Sequence, residues 1–341
     1  MIIMQVIDIK AQSVFFQDDY ILLLERNPQK SFLVLYRLNK NLEISEKVKL
    51  FEGLNGSLLA HFSDTFYISV DNKVYGSKDL VDWKEILKVK SGNRIWHICQ
   101  TNFGVLAQEY GETPTYIYLL QDFHAPSLIL SNTKVDQGST HFHSIAYDPD
   151  RGVVYGTLGD RNLVRAFEIN KINPVNWKKI YSGPWQFAPI SISPNYIVFG
   201  FDSAIAKGGI GIYHPNDDKW NFLFLKYDNA RLAQFLDIKQ VNGLWIGVLA
   251  YMRAVVISKD LIHWYLVCVG ENGSGQDIQI DTNQSHIAIA TGKSLVLKDE
   301  NDIKKAFEKK PIIEPYMALM DVTRGVGFVL RRYLGKIFTK V

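Results

Sequence analysis

Gly76-Ser77-Lys78-Asp79-Leu80-Val81-Asp82-Trp83-Lys84 recurs almost unchanged as Ile257-Ser258-Lys259-Asp260-Leu261-Ile262-His263-Trp264-Tyr265. The shared string is Ser-Lys-Asp-Leu, an aliphatic residue, any residue, then Trp. Such a string reads as a tight turn in which the Asp carboxylate accepts bonds from exposed backbone N–H groups. The Trp then packs its apolar body as the next strand begins.

Weaker copies stand at Pro174-Val175-Asn176-Trp177-Lys178 and at Asn216-Asp217-Asp218-Lys219-Trp220. From Trp177 the steps to Trp220 and Trp264 are 43 and 44 residues, and the interval from Trp83 to Trp177 is twice 47. One further step of 43 reaches Phe307. Between these marks the chain runs in short stretches rich in Val, Ile, Leu, Phe and Tyr, divided by Gly, Asp, Asn and Pro. Residues 65–70, 152–157, 195–201, 243–249 and 286–291 are examples. Four strands in every 43 to 47 residues is the period of a propeller blade, which neither a sandwich nor a barrel demands.

The expected fold is therefore all-β, a single closed β-propeller of four-stranded blades over residues 1–341. Counting outward places outer strands near Leu42 and Leu128, which makes seven up to residue 313. Three further strand-like runs in residues 316–341 and one in residues 2–9 remain. The favoured count is thus eight blades, with residues 2–9 closing the blade formed by 316–341, and seven is the alternative.

The two Ser-x-Asp-Leu-x-x-Trp turns resemble the Asp-box repeat of sialidase-like propellers, and a similar turn occurs in five-bladed glycoside hydrolases. Here an aliphatic residue follows the Asp where Gly is usual, and the turn is one residue shorter. In those families the turn is structural, so the resemblance implies a propeller and says nothing of chemistry.

Composition narrows the classes. Net charge is +3 over 38 basic and 35 acidic residues that are scattered along the chain, without the basic patch of a dedicated nucleic-acid binder. No apolar run approaches the length of a membrane helix, and residues 1–9 read as a strand and not as a signal peptide. A soluble protein without membrane insertion, cytoplasmic or virion-associated, is expected. Cys99 and Cys268 sit inside strand-like runs and do not form a disulfide framework.

In this architecture ligands meet the face opposite the turns between third and fourth strands, around the central channel. Residues expected at that mouth are Asn93, Arg94, His97, Glu109 and Tyr110 of one blade, then His141, His143, Asp160 and Arg161 of the next. Asp202, Tyr251, Arg253 and Lys293 follow from later blades. His141 and His143 stand at i and i+2, so on a strand they share a side, and His97 aligns with His143 one blade earlier. Three such imidazoles are a possible metal set, but later blades offer no matching His; the expectation is channel lining, with no metal and no cofactor.

A sialidase requires clustered arginines, a Tyr–Glu nucleophile pair and an Asp acid/base. Arg94, Arg161 and Arg253 are the candidates, but Glu109 and Tyr110 are adjacent, so on an extended chain they diverge. Other glycosidases require carboxylates about 5 to 9.5 Å apart, and Asp71, Glu109, Asp160 and Asp202 are the loop residues available. No nucleophile elbow, zinc-protease helix or paired Cys-x-x-Cys motif occurs. The repeat is plain and a catalytic constellation is not. The function expected is a non-enzymatic binding or assembly propeller with a protein or glycan partner, including a surface or virion component. A glycoside hydrolase or sialidase-like enzyme is the alternative.

Overall fold

The computed structural model describes residues 6–7, 11–17, 20–27, 32–39, 43–52, 59–160, 162–202, 208–227, 231–232, 234–250, 253–269, 279–282, 286–291 and 294–315. These form seven antiparallel sheets arranged as a propeller ring. Blades 1 to 6 occupy residues 11–52, 59–88, 94–131, 141–181, 187–227 and 235–269. Blade 7 takes three strands from residues 279–298 and its fourth, outer strand from Val6–Ile7. The inner strands, the first of each blade, neighbour one another all the way round, and that of blade 7 meets that of blade 1.

The packing follows from the pattern of the middle strands. Thr65–Val70, Ala254–Ser258 and Ile287–Ala290 are buried at every position, because each sheet is covered on both faces. Outer strands such as Lys84–Lys88 are mostly exposed. The core is accordingly divided into seven apolar clusters, one at each junction of adjacent blades. The cluster of Val14, Leu23 and Tyr36 with Ala288, Ala290 and Leu295 joins blade 1 to blade 7 and shuts the ring.

Polar contacts inside the channel reinforce that last junction. Lys239 on the inner strand of blade 6 donates to the Ile280 carbonyl at 2.7 Å and lies 3.3 Å from Asp281 Oδ1 on blade 7. Asp281 Oδ2 accepts the Phe16 backbone N–H of blade 1 at 2.7 Å. One carboxylate thus links three blades.

The repeated turns have the geometry their sequence implies. Asp79 Oδ1 accepts from the N–H groups of Val81 and Asp82 at 2.9 and 2.8 Å and from the Ser77 hydroxyl at 2.9 Å. Asp260 Oδ1 takes the equivalent bonds from Ile262, His263 and Ser258 at 2.8, 2.8 and 3.0 Å. Burial works to raise the Asp260 pKa, but the donors, led by the His263 side chain, outweigh it and bring it down to about 2. Leu80 and Leu261 both have φ of 65°, the left-handed region that Gly favours. A left-handed non-Gly residue costs about 1 to 2 kcal/mol, whereas burying a Leu gains about 1.5 to 3. Both leucines are 2% exposed, so burial decides the residue type.

Each of the four tryptophans marks the start of a fourth strand, in blades 2, 4, 5 and 6. Trp264 is fully buried between blades 5 and 6, and Trp83 is half-buried between blades 1 and 2. Blade 3 has its fourth strand at Ser127–Ser131, where the period places it near Leu128.

The blade count is seven and not the favoured eight. The terminal runs over-counted because the amino-terminal strand completes blade 7 and does not seed another sheet: Val6 and Ile7 pair with Val296 and Leu295. Residues 316–341, to which the sequence reading gave the partner strands of residues 2–9, lie outside the described residues. The step of 43 that reaches Phe307 ends in a helix, Glu300–Phe307. Asp299 caps it, accepting the Asp302 N–H at 2.9 Å, with acidic residues in its first turn and lysines in its last. The chain then crosses Trp264, whose backbone N–H donates to the Ile313 carbonyl at 3.2 Å, and Ile313–Pro315 pairs with the outer strand of blade 5. No helix among the described residues is long and apolar enough to cross a membrane.

Trp264→Ala is expected to destabilise the chain by about 3 to 5 kcal/mol, and Trp83→Ala by less because its ring is partly solvated. Equilibrium denaturation of the two variants checks the order, and equal losses would contradict the packing described.

Candidate functional site

The first residues of the inner strands and the loops joining second to third strands open together on the face opposite the Asp turns. Near this rim the inner strands of blades 1, 3, 4, 5 and 6 each carry one extra residue relative to the neighbouring strand. Such bulges bend a strand and redirect a side chain. In blade 3 the extra residue is Trp96 and in blade 4 it is His143.

The bulges assemble a continuous row of rings across two blades. The Arg94 guanidinium lies 4.3 Å over Trp96 and 5.4 Å from Tyr110, and Trp96 and Tyr110 stack at 5.0 Å. Tyr110 meets His141 at 4.1 Å, and His141 stacks on His143 at 5.1 Å. His143 Nδ1 is 3.0 Å from the Phe187 carbonyl of blade 5, which only accepts, so Nδ1 carries the proton of that bond. The same nitrogen is 3.5 Å from Asp202 Oδ2, and Asp202 Oδ1 accepts from Gln234 of blade 6. Ring contacts and then polar contacts therefore run in sequence from blade 3 to blade 6.

Gly159 allows the two histidines to lie where they do. A Cβ at this position would come within 2.3 and 2.4 Å of the Nε2 atoms of His143 and His141. His141 is 7% exposed and its Nε2 has no partner among the described residues. Burial, then the charge of His143, hold its pKa down to about 4, against the pull of Asp160. The Tyr110 phenol is raised by burial, with Arg94 opposing and the Asp160 and Asp202 carboxylates adding to the rise.

A buried framework supports the rim. Arg165, 2% exposed, donates to Asn162 Oδ1 at 2.7 Å, the Gly183 carbonyl at 3.1 Å and Gln186 Oε1 at 3.3 Å. Gln186 in turn reaches Asp160 Oδ1 at 3.4 Å.

Among the residues expected at the mouth, Tyr110, His141, His143, Asp160 and Asp202 are brought together. Two expectations change. Glu109 is 1% exposed and turns into the sheet face, accepting from Asn93 at 2.7 Å and Tyr118 at 3.4 Å, with burial raising its pKa. Alternation along the strand sends Tyr110 to the mouth and Glu109 away from it. His97 does not align with His143, because the bulge makes Trp96 the equivalent position.

The His97 ring is only partly buried, with its Nδ1 shielded and without a hydrogen-bond partner among the described residues. Burial and then the Lys239 charge bring its pKa to about 4. Asp71 and Arg253 occupy left-handed turn positions, φ 51° and 50°, on the second-to-third-strand loops of blades 2 and 6. Arg161, Tyr251 and Lys293 lie outside the described residues. Among the described residues no three His, Cys, Asp or Glu side chains are grouped to hold a metal. Trp96, Gln186 and Gln234 were not anticipated; a bulge has no sequence signature, and the glutamines carry no motif.

No family model matches the chain, and no curated protein matches its sequence. Solved structures do share the fold. Virginiamycin B lyase from Staphylococcus aureus is 12% identical, with a TM-score of 0.65 over 86% of this chain and 98% of that one. The Pan2 WD40 domain of Neurospora crassa is 10% identical, with a TM-score of 0.56 over 89% and 90%. The WD40 propeller of Doa1 is 9% identical, with a TM-score of 0.56 over 88% and 96%. At such identities these likenesses establish a β-propeller and no activity.

His97 and His141 predict an acid-labile fold. Their native pKa values near 4 lie below the roughly 6.5 of an unfolded His, so between these values the unfolded chain binds more protons. Stability should fall as pH drops from about 6.5 towards 4, by up to about 3 kcal/mol for each histidine. Ring-proton NMR titration should find both imidazoles neutral at pH 5, and a midpoint near 6.5 for either would refute the assignment.

Proposed function

We propose that this chain is a non-enzymatic binding propeller that holds a protein partner at the channel mouth, on the face opposite the Asp turns. The observation that carries this reading is the fate of the carboxylates. Glu109 is withdrawn into the sheet, and Asp160 and Asp202 are engaged by Gln186 and Gln234 of the following blades. A glycosidase requires one carboxylic acid and one carboxylate directed at the same bond. Here Asp160 and Asp202 act as links between blades 4 and 5 and between blades 5 and 6.

Arg94 favours a protein over a glycan. A sugar ring is held by stacking on a bare aromatic face, and the Trp96 and Tyr110 rings already carry the guanidinium. What the rim offers is a rigid arc of aromatic and hydrogen-bonding groups on a closed disc. Arg and aromatic residues are the types enriched where binding energy concentrates in protein interfaces. The fold itself does not choose, since propellers of this shape include a lyase and WD40 domains.

The chain should bind members of a peptide array and lose that binding in the His141→Ala/Asp160→Ala double variant, with no turnover of chromogenic glycosides. Glycoside turnover lost in the same variant would establish the enzyme instead. Retention on a glycan array, abolished by the variant, would establish a lectin.

A further inference from the structure

Beside the ring row lies an open hollow of about 550 Å³ lined by Asp71, Asn72, Ser91, Asn93, Arg94 and Tyr110. The amide groups lining it are already committed. Asn72 Nδ2 donates to the Val89 carbonyl at 2.9 Å, and Asn93 Nδ2 donates to Glu109 at 2.7 Å and to the Glu112 carbonyl at 3.1 Å. Lys90 nearby is paired with Glu112 at 2.7 Å. Arg94 differs from these: among the described residues its guanidinium makes no hydrogen bond and no ion pair, and is held only by the faces of Trp96 and Tyr110.

A guanidinium held over two rings is confined without using its N–H donors. The fork of N–H groups then loses little freedom when it meets a planar, two-oxygen acceptor. Local charge narrows the acceptor further. Asp71 is itself the one acid among the described residues that line the hollow, and Asp160 and Asp202 lie beyond Tyr110, near enough for both charges to bear on its phenol. In this field a singly charged planar group is repelled less than a doubly charged tetrahedral one. We infer that Arg94 is the anchor for a carboxylate, an Asp or Glu side chain of the protein partner, received in the hollow between blades 2 and 3. This rests on the reading of the mouth as a protein-binding site and specifies what it recognises.

The anchor can be tested on the parent chain with acetate and inorganic phosphate as probes, following the Arg94 Nε–H signal by NMR. Acetate should shift it saturably. An absent shift, or tighter binding of phosphate, would overturn the carboxylate assignment. On a peptide array, replacing Asp and Glu by Asn and Gln should weaken binding about tenfold, and Arg94→Lys should weaken it similarly although the charge is kept. That variant alters a partly exposed guanidinium, so its melting temperature should match the parent. Peptide binding lost in His141→Ala/Asp160→Ala but indifferent to both the amide replacements and Arg94→Lys would refute the anchor and leave the mouth as the protein site. Peptide binding unaffected by either set of variants, or none at all, would remove the mouth reading and the anchor together.

Discussion

No blade of this protein can be stable by itself, because its middle strands are buried on both faces. Thr65–Val70 and Ile287–Ala290, buried at every position, require a neighbouring sheet on each side, and only a closed ring supplies two neighbours to all seven. Closure is therefore the condition on which every inter-blade cluster depends. It is achieved twice over at one seam. Outside, Val6–Ile7 completes blade 7 ahead of blade 1; inside, Asp281 holds Lys239 of blade 6 and the Phe16 N–H of blade 1.

The same closure creates the mouth. Inner strands that converge on one axis bring residues from separate blades within contact, and the bulges turn Trp96 and His143 into a single row with Tyr110 and His141. The opposite face carries the Asp turns, whose bonds are local and complete. The two faces thus divide the work: hydrogen bonds within one turn on one side, and contacts that span four blades on the other. Burying His141 without a partner for Nε2 is unfavourable for the folded state, and the depressed pKa is its electrostatic signature. Unsatisfied groups of this kind mark where a fold departs from its own packing rules, which is why the rim and not the turns is the place to look for function.

The repeat was legible because tryptophan spacing and turn chemistry are short-range and recur. Trp177 and Trp220 fall at the starts of fourth strands as the period requires, although neither lies in a full copy of the motif. The blade count was not legible. Strand-like runs at the termini do not say which sheet they join, and the capped helix Glu300–Phe307 stands where the period alone implied a strand. At the mouth, alternation was enough to separate Glu109 from Tyr110, but the extra residue at Trp96 shifted the register and placed His97 against Gln108 instead of beside the histidine pair. Arg94 was identified as a rim cation from the sequence. Its stacking on two rings depends on that bulge and became visible only in three dimensions.

The dependence on closure is tested most directly by deleting residues 1–8 and following unfolding by two probes, tryptophan fluorescence and the ring signals of His141. Val6–Ile7 supplies the fourth strand of the blade that meets blade 1, so its removal exposes an edge at the seam. The account predicts that both probes report one transition, shifted together to lower denaturant, because every junction depends on the ring. A truncated chain that unfolds at the same denaturant concentration as the parent, or one that loses blade 7 while the His141 signals persist, would contradict it.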